Sequence, residues 1–123
     1  MKFSRLCQIA ADTVAATRRK LPQDLRDASR AVAVHCEKEP DASVLADGFE
    51  PDILGLFTGP EHGAELSQDN PVPPQILLYI NSLWDYSEGD IDTFREEVRV
   101  TYLHELGHFF GWDEGQVAAR GLD

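Results

Sequence analysis

The chain has 123 residues, a formal charge of −11 and no apolar run approaching twenty residues, which fits one domain with one modest core and argues against a second catalytic lobe or a membrane-spanning helix. The charge is uneven: residues 1–30 hold seven basic and three acidic groups, and the remainder four basic and nineteen acidic. Such a surface repels phosphate backbones over most of its area, so nucleic acid is not the expected partner, and the basic start reads as a solvated helix face.

Phe3, Leu6, Cys7, Ala10, Val14 and Leu21 recur at steps of three and four, which predicts an amphipathic helix ending before Pro22, with its charges in water. The apolar stretch after Lys2 and Arg5 is broken by Gln8 and Asp12 and runs into Arg18, Arg19 and Lys20, a pattern unlike a signal peptide. A cytoplasmic protein is expected. Residues 22–29 read as a turn or short helix. The small and β-branched run over 31–36 predicts a strand closed by Glu39 and Pro40. His35 lies within it with no ligand partner nearby and reads as structural. Cys7 and Cys36 show no Cys-x-x-Cys spacing, so two half-buried thiols are expected rather than a disulfide framework.

Asp41 or Ser43 can cap a short helix over 41–46, with Gly48 as its stop. Residues 53–58 and 75–80 predict the second and third strands. Between them, residues 60–74 form a polar loop of the length typical of lids, and His62 within it reads as a solvated histidine. Residues 81–89 look like a polar connection. Asp85, Glu88, Asp90 and Asp92 evoke a calcium loop, but the position that would need glycine is Asp90, so these acids read as charge at a helix N-terminus. Thr93 and Glu96 can make a capping box for a helix over 91–110, whose inward stripe is Ile91, Phe94, Val98, Tyr102, Leu106 and Phe109. Residues 114–120 add one or two helical turns. The order describes a single α+β domain over residues 1–123, a small mixed β-sheet packed on two longer helices.

The stretch that carries chemistry is His104-Glu105-Leu106-Gly107-His108 and the residues just after it. Two histidines four apart on a helix project from one face and can share a metal ion. Glu105, about 100° around the axis from His104, can stand beside that ion as a base. Glu97, Thr101, His104 and His108 share this face and form the expected cleft floor. Gly111 can take a positive φ and turn the chain back, returning an acidic residue to the metal. The competing reading, an ordinary helix with Gly111 as a plain C-cap, does not account for the joint spacing. Fifteen residues follow His108 in this sequence, so a third ligand is expected among Asp113, Glu114 and Asp123, with Glu114 best placed.

Residues 100–111, Val-Thr-Tyr-Leu-His-Glu-Leu-Gly-His-Phe-Phe-Gly, with Ile-Leu-Gly-Leu-Phe at 53–57 and Pro-Gln-Ile-Leu-Leu-Tyr at 74–79, resemble the bacterial minimal zincin-like metallopeptidase family. The resemblance covers most of the chain after about residue 20. It implies a reduced metzincin-type core of a small sheet and two long helices. It also implies His104 and His108 as zinc ligands, Glu105 as general base, and the acidic residue ten positions after His104 as third ligand. That position usually carries Asp in the family; here it is Glu114, with Asp113 one step earlier. Met1 is the single methionine, so the methionine-containing turn under the metal of full metzincins has no counterpart, and Trp112, Phe109 or Phe110 would have to supply that floor.

These residues point to zinc-assisted hydrolysis of a peptide bond in a peptide or protein substrate, with Glu105 moving the proton. By analogy with other zincins, residues 76–80 are the strand expected to pair with an extended substrate. The alternative from another class is a non-catalytic zinc-binding or interaction protein with a closed site. A zinc-dependent ribonuclease is opposed by Glu114, where a third histidine would be needed, and by the net charge.

Overall fold

The computed structural model describes residues 1–63 and 73–119, the side chains of residues 114, 117 and 118 excepted. Most of the loop expected over 60–74 therefore lies outside the described residues. The first helix, α1 (Phe3–Arg19), buries Leu6, Ile9, Ala10 and Val14 along one face. Arg18 departs from the expectation that its charges face water: its Nε donates to the Tyr102 hydroxyl at 3.2 Å and its guanidinium lies 5.8 Å from the centre of that ring. Pro22 then opens α2 (Gln23–Ser29), as proline suits a helix start.

Three strands follow among the described residues: β1 (Ala33–Glu37), β2 (Gly55–Thr58) and β3 (Gln75–Tyr79). They form one mixed sheet in the order β1-β3-β2, with β1 parallel to β3 and β2 antiparallel to it. Ile76, Leu78 and Tyr79 are almost fully buried because β3 is the middle strand. This corrects the expectation that residues 76–80 present a free edge, since β3 has both neighbours already. Between β1 and β2 lies α3 (Ala42–Ala46), where the Asp41 carboxylate accepts the Val44 N–H at 3.0 Å and Gly48 closes the turn at φ +96°.

The expected connection after β3 is instead a helix, α4 (Ile80–Tyr86), in which Ile80 and Leu83 are fully buried and Trp84 packs edge-on against Phe94 at 5.7 Å. Ile80 continues the apolar run of the strand and also supplies the first buried position of the helix, so the sequence pattern alone merges it with β3. Next comes α5 (Ile91–Phe109). Its cap is Asp90, whose Oδ2 accepts the Thr93 N–H and hydroxyl at 2.8 and 2.7 Å, so the cap lies three residues before Thr93 and takes the place of the expected Thr93–Glu96 box. Phe94, Val98, Tyr102, Leu106 and Phe109 are buried as their spacing predicts, and Thr101, Leu103 and Gly107 are buried too. The wider buried surface follows from position: α5 packs against α1, α4, β2 and β3 at once.

A last helix, α6 (Glu114–Ala119), follows the turn after α5. The whole is the α+β arrangement of a small mixed sheet with two longer helices, α1 and α5. No helix among the described residues is long and apolar enough to cross a membrane. Cys7 and Cys36 are unpaired half-buried thiols in contact, and burial together with the neighbouring Cys7 pushes the Cys36 thiol up to about 12.

Candidate metal centre

Helix α5 delivers His104, Glu105 and His108 from consecutive turns near its C-terminal end. The two histidine Nε2 atoms stand 3.2 Å apart, with ring centroids 4.8 Å apart and planes nearly perpendicular. Two nitrogens bound to one zinc at ~2.0–2.1 Å and spread at the tetrahedral angle are separated by roughly 3.3 Å, so the spacing of this pair matches that of two zinc ligands. Potential ligand atoms of His104, Glu105 and His108 all lie within 4.8 Å of one another. The histidines are half-buried, and the Glu105 side chain is 12% exposed.

Glu105 is held in a specific pose. Its Oε1 accepts the main-chain N–H of Phe57 at 3.0 Å, and its Oε2 lies 3.8 Å from His104 Nε2. The carboxylate is thus drawn toward β2, beside the histidine pair. Phe57 was not legible as a site residue, because every residue but proline carries a backbone N–H and only the pairing of strands decides which one faces a cleft.

The expected bend after α5 takes a definite form. Gly111 N–H donates to His108 O at 2.9 Å, Trp112 N–H donates to Gly107 O at 3.0 Å, and Gly111 has φ +76°. These are the paired bonds of a Schellman motif, which satisfies the last carbonyls of the helix that bears both histidines. Asp113 is then occupied: its Oδ1 accepts the Gln116 N–H at 2.8 Å while Gln116 Oε1 accepts the Asp113 N–H at 2.9 Å. That reciprocal cap starts α6, and Glu114 is the first residue of the helix. The side chain of Glu114 and all of Asp123 lie outside the described residues.

One segment crosses the end of α5. His62 N–H donates to Phe109 O at 2.7 Å, and its ring sits 5.4 Å from Phe109 and 5.9 Å from Phe110. His62 is exposed, as a loop histidine should be, yet it is seated on two aromatic rings rather than surrounded by water. Glu61 beside it comes so near Gly111 that a Cβ there would meet Glu61 Oε2 at 2.9 Å. Phe57, Glu61, His108, Gly111 and Trp112 line a cavity of about 460 Å³ next to the histidine pair. Trp112 lines this cavity and packs on Phe110 with ring centroids 5.0 Å apart, while Phe109 is fully buried in the core and Phe110 is half-buried against it. A groove of equal volume between α1 and α5 includes Lys20, Arg95 and Arg99 but offers no set of metal-ligating groups.

A family profile described as zincin-like metallopeptidase matches residues 29–122, which takes in all three strands, α5 and α6. No curated protein matches the chain.

Proposed function

The chain belongs to the zincin-like metallopeptidase family, and from that premise we propose that it is a zinc-dependent peptidase acting on peptide or protein substrates in the cytoplasm. The observation that carries the proposal is the pair of Nε2 atoms at 3.2 Å, presented from consecutive turns of a helix fixed on several sides. His104 and His108 would hold the ion, with Glu114 as third protein ligand. Zinc bound there supplies a Lewis acid that lowers the pKa of a water toward neutrality.

The remaining work falls to the chain's own groups. Glu105 takes the proton of the attacking water and delivers it to the leaving amine, a role suited to a carboxylate that lies beside both histidines. Substrate docking moves to a different strand from the one expected by analogy. Since β3 is central, β2 is the edge strand beside Glu105 among the described residues, and an extended peptide would pair there, over residues 55–58. The acidic surface supports a protein or peptide partner rather than nucleic acid.

The test joins metal analysis to hydrolysis. Purified protein should hold stoichiometric zinc, and His108→Ala should lose it. Glu105→Gln should keep the zinc and lower peptide hydrolysis by about 10²–10⁴-fold. Stoichiometric zinc without hydrolysis of any peptide library would instead identify a non-catalytic zinc protein, and unchanged hydrolysis in Glu105→Gln would remove Glu105 from the chemistry.

A further inference from the structure

The Phe57 N–H that holds Glu105 is also a group that a docked peptide would need. The Tyr79 N–H donates to Leu54 O at 3.0 Å, which sets the alternation of the β2–β3 ladder. Leu56 and Leu77, and Thr58 and Gln75, then exchange hydrogen bonds, while Gly55 and Phe57 turn their N–H and C=O groups away from β3. The Phe57 N–H confirms this orientation by reaching Glu105 Oε1 at 3.0 Å, across 48 positions of sequence. A chain laid along the outer edge of β2 must bond to those same outward groups.

We propose that the Phe57 main-chain amide is an exchangeable anchor for Glu105. In the free protein it bonds Oε1 of the carboxylate; a peptide whose carbonyl takes that N–H leaves this oxygen available for proton transfer. The proposal rests on the peptidase reading above and adds a restraint to it. A hydrogen bond to a carboxylate is roughly twice as strong as one to a neutral carbonyl, so a ligand that offers a single carbonyl does not displace Glu105. An extended chain that also bonds the outward groups of Gly55 does. The base is thereby mobilised by a peptide lying in register on β2 and left tethered by a small or misplaced amide. Phe57 acts as a positioning residue through its backbone, whatever its side chain contributes to packing.

The test is amide hydrogen exchange followed by NMR on zinc-loaded protein, with and without a phosphinic pseudohexapeptide as a non-cleavable extended probe. In the free protein, Glu105→Ala should speed exchange at Phe57 by about ten-fold or more, while Leu56 and Thr58 keep their wild-type rates. With the probe bound, wild type and variant should show equal protection at Phe57. Equal Phe57 exchange in free wild type and free variant would overturn the anchor. Zinc-dependent probe binding that fails to restore protection in the variant would overturn the exchange and leave the peptidase reading standing. Absence of zinc-dependent probe binding would end both. Wild type alone gives an independent readout that needs no variant to fold: the Phe57 amide proton should move upfield on probe binding, as a charged acceptor is replaced by a neutral one. An unmoved resonance refutes the exchange.

Discussion

Gly55 of β2 lies directly against Thr101 of α5: a Cβ on the glycine would stand 2.6 Å from Thr101 Cγ2 and 3.1 Å from Leu77 O. This close approach of strand to helix brings the Phe57 N–H within reach of Glu105, one turn further along α5 from Thr101. The absence of a side chain at residue 55 therefore bears on the site, although Gly55 touches no ligand.

Gly55→Ala should push β2 off α5 and destabilise the fold by about 1–3 kcal/mol, the usual cost of overpacking. Thr101→Ser, which removes the opposing methyl, should recover most of the loss when the two are combined. Urea unfolding of the single and double variants measures the coupling; additive losses would show that the contact is not the cause.

Asp113 and Glu114 should separate by task. Asp113 caps α6 through Gln116, so Asp113→Ala should lower stability by about 1 kcal/mol and retain zinc. Glu114→Ala should lose zinc affinity with little change in the unfolding of the metal-free protein. Equilibrium zinc titration with parallel melts decides the matter, and the reverse pattern would make Asp113 the ligand.

Stability in acid should report the cap of α5. The Asp90 carboxyl is held below its ordinary value of 3.8 by the Thr93 hydroxyl and, next, by the Thr93 N–H. A carboxyl depressed on folding stabilises fully above its unfolded pKa and loses that contribution as pH falls through the folded value. Asp90→Asn keeps an accepting oxygen but has no charge to titrate. Wild type should therefore melt above the variant at neutral pH, and the gap should begin to narrow as pH drops below about 3.8 and close once it passes the lower folded value. A gap independent of pH would exclude the charge as its source.

Tyr79 offers a contrasting case at alkaline pH. Its side chain is 1% exposed and its hydroxyl has no hydrogen-bond partner among the described residues. An unpartnered buried hydroxyl costs free energy, so Tyr79→Phe should be neutral or more stable by up to about 1 kcal/mol. Burial, with Asp41 and Glu37 adding to it, raises the Tyr79 pKa above 10.0. The unfolded chain then ionises first, and wild type should lose stability as pH rises through that range whereas Tyr79→Phe does not. Denaturant midpoints at neutral and alkaline pH check both signs; a loss at neutral pH would show that the hydroxyl is bonded.

Much of this molecule was determined by local sequence. The stripe from Phe94 to Phe109 defines α5 because helical periodicity is a property of neighbours along the chain. The joint spacing of His104, Glu105 and His108 places their side chains together for the same reason, and Gly111 marks the bend because few other residues accept its φ. Local pattern also misled where one residue suited two elements. Ile80 satisfies both a strand and a helix, which concealed α4, and Asp90 competed with Thr93 for the cap. Tertiary structure alone decided which strand is the edge and which backbone amide faces the site. A buried strand reads as apolar whether its neighbours come before or after it, and a main-chain N–H has the same chemistry at Phe57 as anywhere else. Only the pairing of distant segments, β3 between β1 and β2 and Gly55 against Thr101, set those relationships.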